Sequence, residues 1–163
     1  TYAMTGWRIG FGAGPQALTE AMTVVQSQST SGASSVGQAA ALAAFEGGLD
    51  FLAEQVAAYR QRRDVLVSSL RNVEGLEVLE PQGGFFVFVR CAGLLGRYRP
   101  DGQRLEHDAD VVEYLLDEGV AGVAGGAYGL SPWFRLSIAT ATATVAEAGR
   151  RIAHACGRLR DER

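Results

Sequence analysis

Pro81-Gln82-Gly83-Gly84-Phe85-Phe86-Val87-Phe88-Val89 sets a tight turn directly before an unbroken apolar run. Proline and paired glycines punctuate a chain, and a run of phenylalanine and valine suits a strand packed on a sheet. Upstream of the turn, Leu76 to Leu79 predicts a short partner strand. Downstream, the stretch from Gly93 to His107 is polar and irregular, hence a loop. Asp108 is placed to cap a helix from Ala109 to Glu118, closed by Gly119. Val120 to Val123 predicts a strand, Gly125-Gly126 a turn, and Phe134 to Ala139 the last strand. A final helix starts at Thr142 or Thr144 and runs to about Leu159. The order strand, strand, helix, strand, strand, helix predicts a mixed sheet with helices packed on it, an α/β or α+β fold. Such an order leaves activity open.

The preceding residues read differently. Trp7 to Ala13 is apolar and aromatic and ends at Gly14-Pro15, which predicts a buried strand leading into a turn. Residues 15 to 28 have helical spacing, with Leu18, Met22 and Val25 on one face and Pro15 in the first turn. The polar stretch from Ser27 to Gly32 predicts a loop. Ser34 or Ser35 would cap an alanine-rich helix through Gln38 to Ala44, broken at Gly47-Gly48. A long helix follows from Asp50 to Leu70, with Leu52, Val56, Tyr59, Leu66 and Leu70 as its apolar positions. A helix of that length would bridge two lobes. The domain boundary is therefore set between residues 47 and 48.

Composition narrows the function classes. Apolar residues make up 47% of the 163 and charged residues 20%, enough for a buried core. The formal net charge of -3 gives no electrostatic reason to expect nucleic acid or an anionic membrane. Arg150 to Arg163 is rich in arginine but interrupted by Asp161 and Glu162, the pattern of a solvated helix face. Cys91 and Cys156 are the two cysteines, without metal-ligand spacing, so no metal is expected and a reduced cytoplasmic protein is the simplest reading. His107 and His154 are assigned no catalytic role. All 15 basic residues are arginine. Only an N-terminal amine could therefore form a Schiff base within this chain.

The blocks Tyr2-Ala3-Met4-Thr5-Gly6-Trp7-Arg8-Ile9-Gly10, Gln26-Ser27-Gln28-Ser29-Thr30-Ser31 and Pro81 to Phe86 occur in that order. They are followed by Gly119-Val120-Ala121, Gly125-Gly126-Ala127-Tyr128-Gly129 and Phe134-Arg135-Leu136-Ser137. This ordered series spans nearly the whole chain and resembles the C-terminal half of fold-type I, pyridoxal-phosphate-dependent aminotransferases of the aspartate aminotransferase kind. The resemblance implies the end of a large cofactor-binding domain (residues 1–47) followed by a small α+β domain (48–163). It places the Schiff-base lysine directly before Thr1, so the gene product is expected to start upstream.

The resemblance further implies a role for each of two arginines. Arg8 would bind the phosphate of pyridoxal 5'-phosphate, and its planar, permanently charged fork suits phosphate oxygens. Arg135, set in an apolar run where an unpaired charge is costly, would bind the substrate α-carboxylate. Amino acid and 2-oxo acid substrates, aspartate among them, and a homodimer are implied in the same way. Tyr2 is expected to pack rather than shape the site, and Ser29, Thr30 and Ser31 are equally a plain loop or hydroxyls near the phosphate or near the partner subunit's site. Gly84, Gly125 and Gly126 would let backbone segments approach closely. Gly32-Ala33, Ala124 and Ala141 depart from the family's usual Asn-Pro, Pro and Ser, which touches substrate preference more than cofactor use. Fold-type I lyases and decarboxylases, and aminotransferase-like effector domains of transcription regulators, would share much of this pattern.

Overall fold

A computed structural model describes residues 1–162. Its contacts divide the chain into two compact units, Thr1–Ala53 and a second from Glu54 onward. The domain boundary expected from the sequence, between residues 47 and 48, lies a few residues before this division.

The first unit holds a short 3-10 turn at Thr5–Trp7 and two helices, α1 (Gln16–Ser29) and α2 (Ser35–Glu46). The strand expected over Trp7 to Ala13 is not formed. A strand needs a neighbour to take its backbone hydrogen bonds, and no strand lies in this unit among the described residues. Pro15 stands one place before α1, as its N-cap with φ -56°, and its carbonyl accepts from Leu18 and Thr19 N–H at 3.0 and 3.1 Å. The helix overruns the expected loop start and reaches Ser29. The Ser27 hydroxyl donates to the Val24 carbonyl at 2.7 Å, and that of Ser29 donates to Val25 at 3.1 Å. Those back-bonds occupy the hydroxyls on carbonyls of the preceding turn, so they do not compete for the helix's N–H groups.

Ser34 occupies the N-cap of α2, but its side chain makes no capping bond. Gly48, with φ +80°, turns the chain after α2. Leu18, Met22 and Val25 share a face of α1 as predicted, yet they are 54%, 53% and 69% exposed. Gly37 is the buried residue of this unit, and a Cβ on it would lie 2.9 Å from Ile9 Cγ1. Residues 1–53 therefore close no apolar core of their own.

The second unit has a core. Its elements are α3 (Leu52–Leu70, begun at the end of the first unit), β1 (Glu77–Val78), β2 (Phe86–Arg90) and α4 (Asp108–Asp117). There follow β3 (Val123–Ala124), β4 (Trp133–Ser137) and α5 (Thr142–Gly157). The sheet order is β1-β2-β4-β3, and every neighbouring pair is antiparallel. The expected mixed sheet is thus corrected. β4 inserts between β2 and β3, so the strands joined through α4 never become neighbours. Periodicity along the chain carries no information about such an insertion. The residue before α4 is also His107 rather than Asp108, which is the first residue of the helix. The Asp110 carboxylate accepts the Glu106 and His107 N–H groups, both at 2.8 Å, and so organises this helix start from inside.

Alternation along the two central strands decides what faces where. Val87 and Val89 of β2 and Phe134 and Leu136 of β4 are buried in one cluster. Leu66 and Leu70 of α3, Val111 and Leu115 of α4, and Val145 and Ile152 of α5 complete it. Successive strand residues point to opposite faces. Phe86, Phe88 and Arg135 therefore stand on the other, half-exposed face.

Candidate carboxylate-binding site

Arg135 sits in the middle of β4, with Phe88 of β2 and Val123 of β3 as its cross-strand partners. Its guanidinium carbon lies 4.0 Å from the Phe86 ring centre and 4.8 Å from that of Tyr128. A cation over an aromatic face is attracted by the ring quadrupole, by about 0.5–2 kcal/mol depending on solvent access. Behind this clasp, Phe86 meets Phe85 at 4.3 Å, and Tyr128 meets Phe88 edge-on at 6.0 Å.

Arg135 takes part in none of the ion pairs formed among the described residues. Arg90, on the same face of the sheet, is paired with Glu77 at 2.5 Å. Aromatic rings replace none of the hydrogen bonds that a guanidinium loses on leaving water. A half-buried fork with five donors and no acid is chemically ready for a carboxylate.

The turn that supplies Tyr128 is built by glycine. Residues Gly125–Tyr128 form a 3-10 turn between β3 and β4, ended by Gly129 in the left-handed conformation. A Cβ on Gly125 would fall 1.9 Å from the Leu130 carbonyl oxygen and 2.6 Å from that of Trp133. No other residue fits there. The Gly126 amide donates to Asp108 Oδ2 at 2.9 Å. Asp108 is a charged side chain buried in the core, at 5% exposure. Nearby, burial pushes the Cys91 thiol up to about 12, with the charge of Asp108 as the second cause. Gly84 differs from expectation: a Cβ there would meet nothing within 4 Å, and its φ of +74° is what calls for glycine.

In the first unit, Arg8 follows the 3-10 turn with φ +55°, a left-handed conformation unusual for a residue with a side chain. Its guanidinium is exposed and, among the described residues, donates to the Thr5 carbonyl, at 3.5 Å. Among the described residues no acid pairs with it. The Tyr2 ring packs edge-on against Phe45 at 5.6 Å and tilted against Phe51 at 6.0 Å. The Ser29 hydroxyl is committed to the α1 carbonyls. Among the described residues, no group of three or more His, Cys, Asp or Glu is arranged to hold a metal ion. No described helix is long and apolar enough to cross a membrane.

Sequence reasoning singled out Arg8 and Arg135 but missed the partners that shape the second. Phe86 and Tyr128 flank Arg135, and Asp108 accepts from the Gly126 amide of the turn. The signal for Phe86 was present: it shares a strand parity with Phe88, the cross-strand partner of Arg135. No local pattern pointed from Asp108 to Gly126, 18 residues away.

The antiparallel sheet, its helix-covered core face and the arginine between aromatic rings on the other face belong to a fold shared with solved aminotransferases. A solved aspartate aminotransferase from Rhizobium meliloti matches 98% of this chain and 40% of its own, with TM-score 0.88 and 51% identity. The chain belongs to the aminotransferase class I and II family, whose sequence model matches residues 1–152. An aspartate aminotransferase of Rhizobium meliloti strain 1021 is 51% identical over 159 residues, 97% of this chain. A probable aspartate/prephenate aminotransferase of Rhizobium leguminosarum bv. phaseoli is 48% identical over 157 residues, 96% of this chain. The chain spans 39% of the length of each of these two relatives.

Proposed function

We propose that the whole protein to which residues 1–163 contribute is a pyridoxal-phosphate-dependent aminotransferase. It moves an amino group between an amino acid, aspartate foremost, and a 2-oxo acid such as 2-oxoglutarate. The observation that carries this reading is Arg135, half-buried between two aromatic rings with no acid among the described residues. The relatives' names, aspartate and aspartate/prephenate aminotransferase, support the substrate class. A homodimer follows by analogy with the family. Cytoplasmic residence suits the two free, buried cysteines.

Arg135 would grip the α-carboxylate with two parallel N–H···O bonds, which fixes the substrate's orientation as well as its affinity. Phe86 and Tyr128, 4.0 and 4.8 Å from the guanidinium carbon, would shield part of it from water, so each bond would count for more than in bulk solvent. Arg8 would neutralise the cofactor phosphate. When bound, pyridoxal phosphate would supply an aldehyde carbon to carry the amino group and a ring that withdraws electrons. The chain itself holds no lysine. The Schiff-base amine is proposed to precede Thr1, as the resemblance has it.

Incubation of the full-length protein with amino-acid donors and 2-oxoglutarate tests the reaction. Formation of glutamate at the donor's expense is expected. Release of pyruvate and ammonia without glutamate would assign a lyase instead.

A further inference from the structure

We propose that Asp108 is a positioning residue for substrate binding: by holding the Gly126 amide it fixes the turn that sets Tyr128 against Arg135. This rests on the reading that Arg135 receives the substrate carboxylate.

The argument begins with cost. Asp108 is 5% exposed, and the hydrogen bond its carboxylate accepts among the described residues comes from Gly126 N–H, at 2.9 Å. Burying a carboxylate with so few donors is unfavourable. Its place in the first turn of α4 offsets part of this, because the positive end of the helix dipole favours an anion. Core stability alone gives a weak account of an acid at this position. An apolar residue of similar size would fill the space without the desolvation cost.

Geometry supplies the stronger account. The turn is held at three points. Gly125 is wedged against the Leu130 and Trp133 carbonyls, Gly126 is tied to Asp108, and Gly129 closes the turn. The closing bonds run from Gly129 N to Gly126 O at 3.1 Å and from Leu130 N to Gly125 O at 2.9 Å. Two of these points lie within the turn or its own strand. Among the described residues, Asp108 supplies the hydrogen bond that ties the turn's backbone to another element, the helix α4. Tyr128 is 47% exposed, so burial does not hold its ring in place. One edge-on contact with Phe88 helps to place it, and the rest of its position over Arg135 is set by the backbone beneath it. Release of Gly126 frees that backbone to move toward solvent, and one wall of the guanidinium clasp goes with it.

The test uses the full-length, cofactor-loaded protein with Asp108→Leu, Asp108→Asn and Asp108→Glu. Asp108→Leu keeps the volume and removes the acceptor. Asp108→Asn keeps an acceptor without the charge. Asp108→Glu keeps the acid but pushes it about one methylene further into the turn. The expected result for Asp108→Leu is a KM for the amino acid raised about tenfold with kcat within about twofold. The calorimetric Kd for succinate, a non-reacting dicarboxylate, should weaken by the same factor while thermal stability is kept. Asp108→Asn should restore both constants to near the wild-type values. Should Asp108→Leu not fold, Asp108→Glu decides, because it must raise KM and the succinate Kd. A lowered Tm with unchanged KM and Kd would show a purely structural acid and overturn the proposal, as would failure of Asp108→Asn to rescue. Arg135→Met separates the two layers. If it leaves succinate binding intact, the Arg135 reading itself fails. If it abolishes binding while Asp108→Leu does not weaken it, only the role of Asp108 falls.

Discussion

The guanidinium carbon of Arg135 lies 4.0 Å from the centre of the Phe86 ring, on the face of the sheet turned away from the core. That single pairing holds a cation in place without neutralising it. Replacing Phe86 with leucine should leave the strand folded, since the sheet's core face is untouched. It should weaken carboxylate binding by about five- to tenfold, the worth of one desolvated cation–π contact. Inhibition constants for simple carboxylates, compared between the full-length wild type and Phe86→Leu, give the measurement. Equal constants would remove Phe86 from the account.

Arg135 itself should show stability and binding pulling apart. Among the described residues it has no ion pair to lose, so Arg135→Met is expected to shift Tm by no more than a few degrees. Substrate affinity should fall by roughly a hundredfold, as for loss of a charge-assisted, two-bond contact. A large drop in Tm would reveal an acid pairing with Arg135 in the whole protein.

Close packing at two glycines predicts opposite kinds of repair. Gly125→Ala would put a methyl 1.9 Å from the Leu130 carbonyl oxygen, against backbone that cannot yield. A loss of more than about 3 kcal/mol is expected, read as a fall in the denaturation midpoint. Gly149→Ala instead meets the side chain of Ser69, at 2.6 Å from its Cβ, where α5 crosses α3. Overpacking there should cost about 1–3 kcal/mol, more than the helix propensity gained. Ser69→Gly should recover much of the loss in the double variant, and failure to do so would deny the crossing.

Acid stability should depend on Asp110. The N–H groups of His107 and Glu106, in that order of effect, hold its carboxyl below the ordinary range. A depressed folded-state value means the contribution is fully present above the unfolded carboxyl's pKa. It is lost as pH falls through the lower, folded value. Asp110→Asn should therefore flatten the acid limb of a stability-against-pH curve and leave its neutral region less changed in slope. An unchanged acid limb would contradict the assignment.

Cys91 and Cys156 should be silent in the native protein. Burial, first among the causes, pushes both thiols up to about 12. At neutral pH neither should react with a thiol reagent until the chain unfolds. Above the ordinary thiol value the unfolded state loses these protons first, so stability falls as pH rises. Rapid labelling of the native full-length protein at either cysteine would contradict their burial.

How much of this was legible beforehand varied with the kind of interaction. Element order in the second unit could be read because its strands and helices carry strong local patterns, such as Phe85 to Val89 and the apolar face of α4. Strand direction could not, since the insertion of β4 between β2 and β3 is set by packing rather than by local sequence. The strand expected at Trp7 to Ala13 failed for a related reason: its apolar residues ask for a neighbour that residues 1–53 do not contain. The cap of α4 was displaced by one residue because Asp110, not Asp108, takes the free amides. Asp108 was then available for Gly126, a contact between elements that no spacing rule reveals. Arg8 and Arg135 were legible through the resemblance of their flanking blocks, not through any pattern of their own.

A structure of the full-length protein with its amino-acid substrate bound tests the central claim most directly. The account predicts the α-carboxylate oxygens about 2.7–3.0 Å from the Arg135 guanidinium nitrogens, in a two-bond arrangement between Phe86 and Tyr128. An Arg135 side chain paired with a protein acid, with the substrate carboxylate held elsewhere, would contradict it.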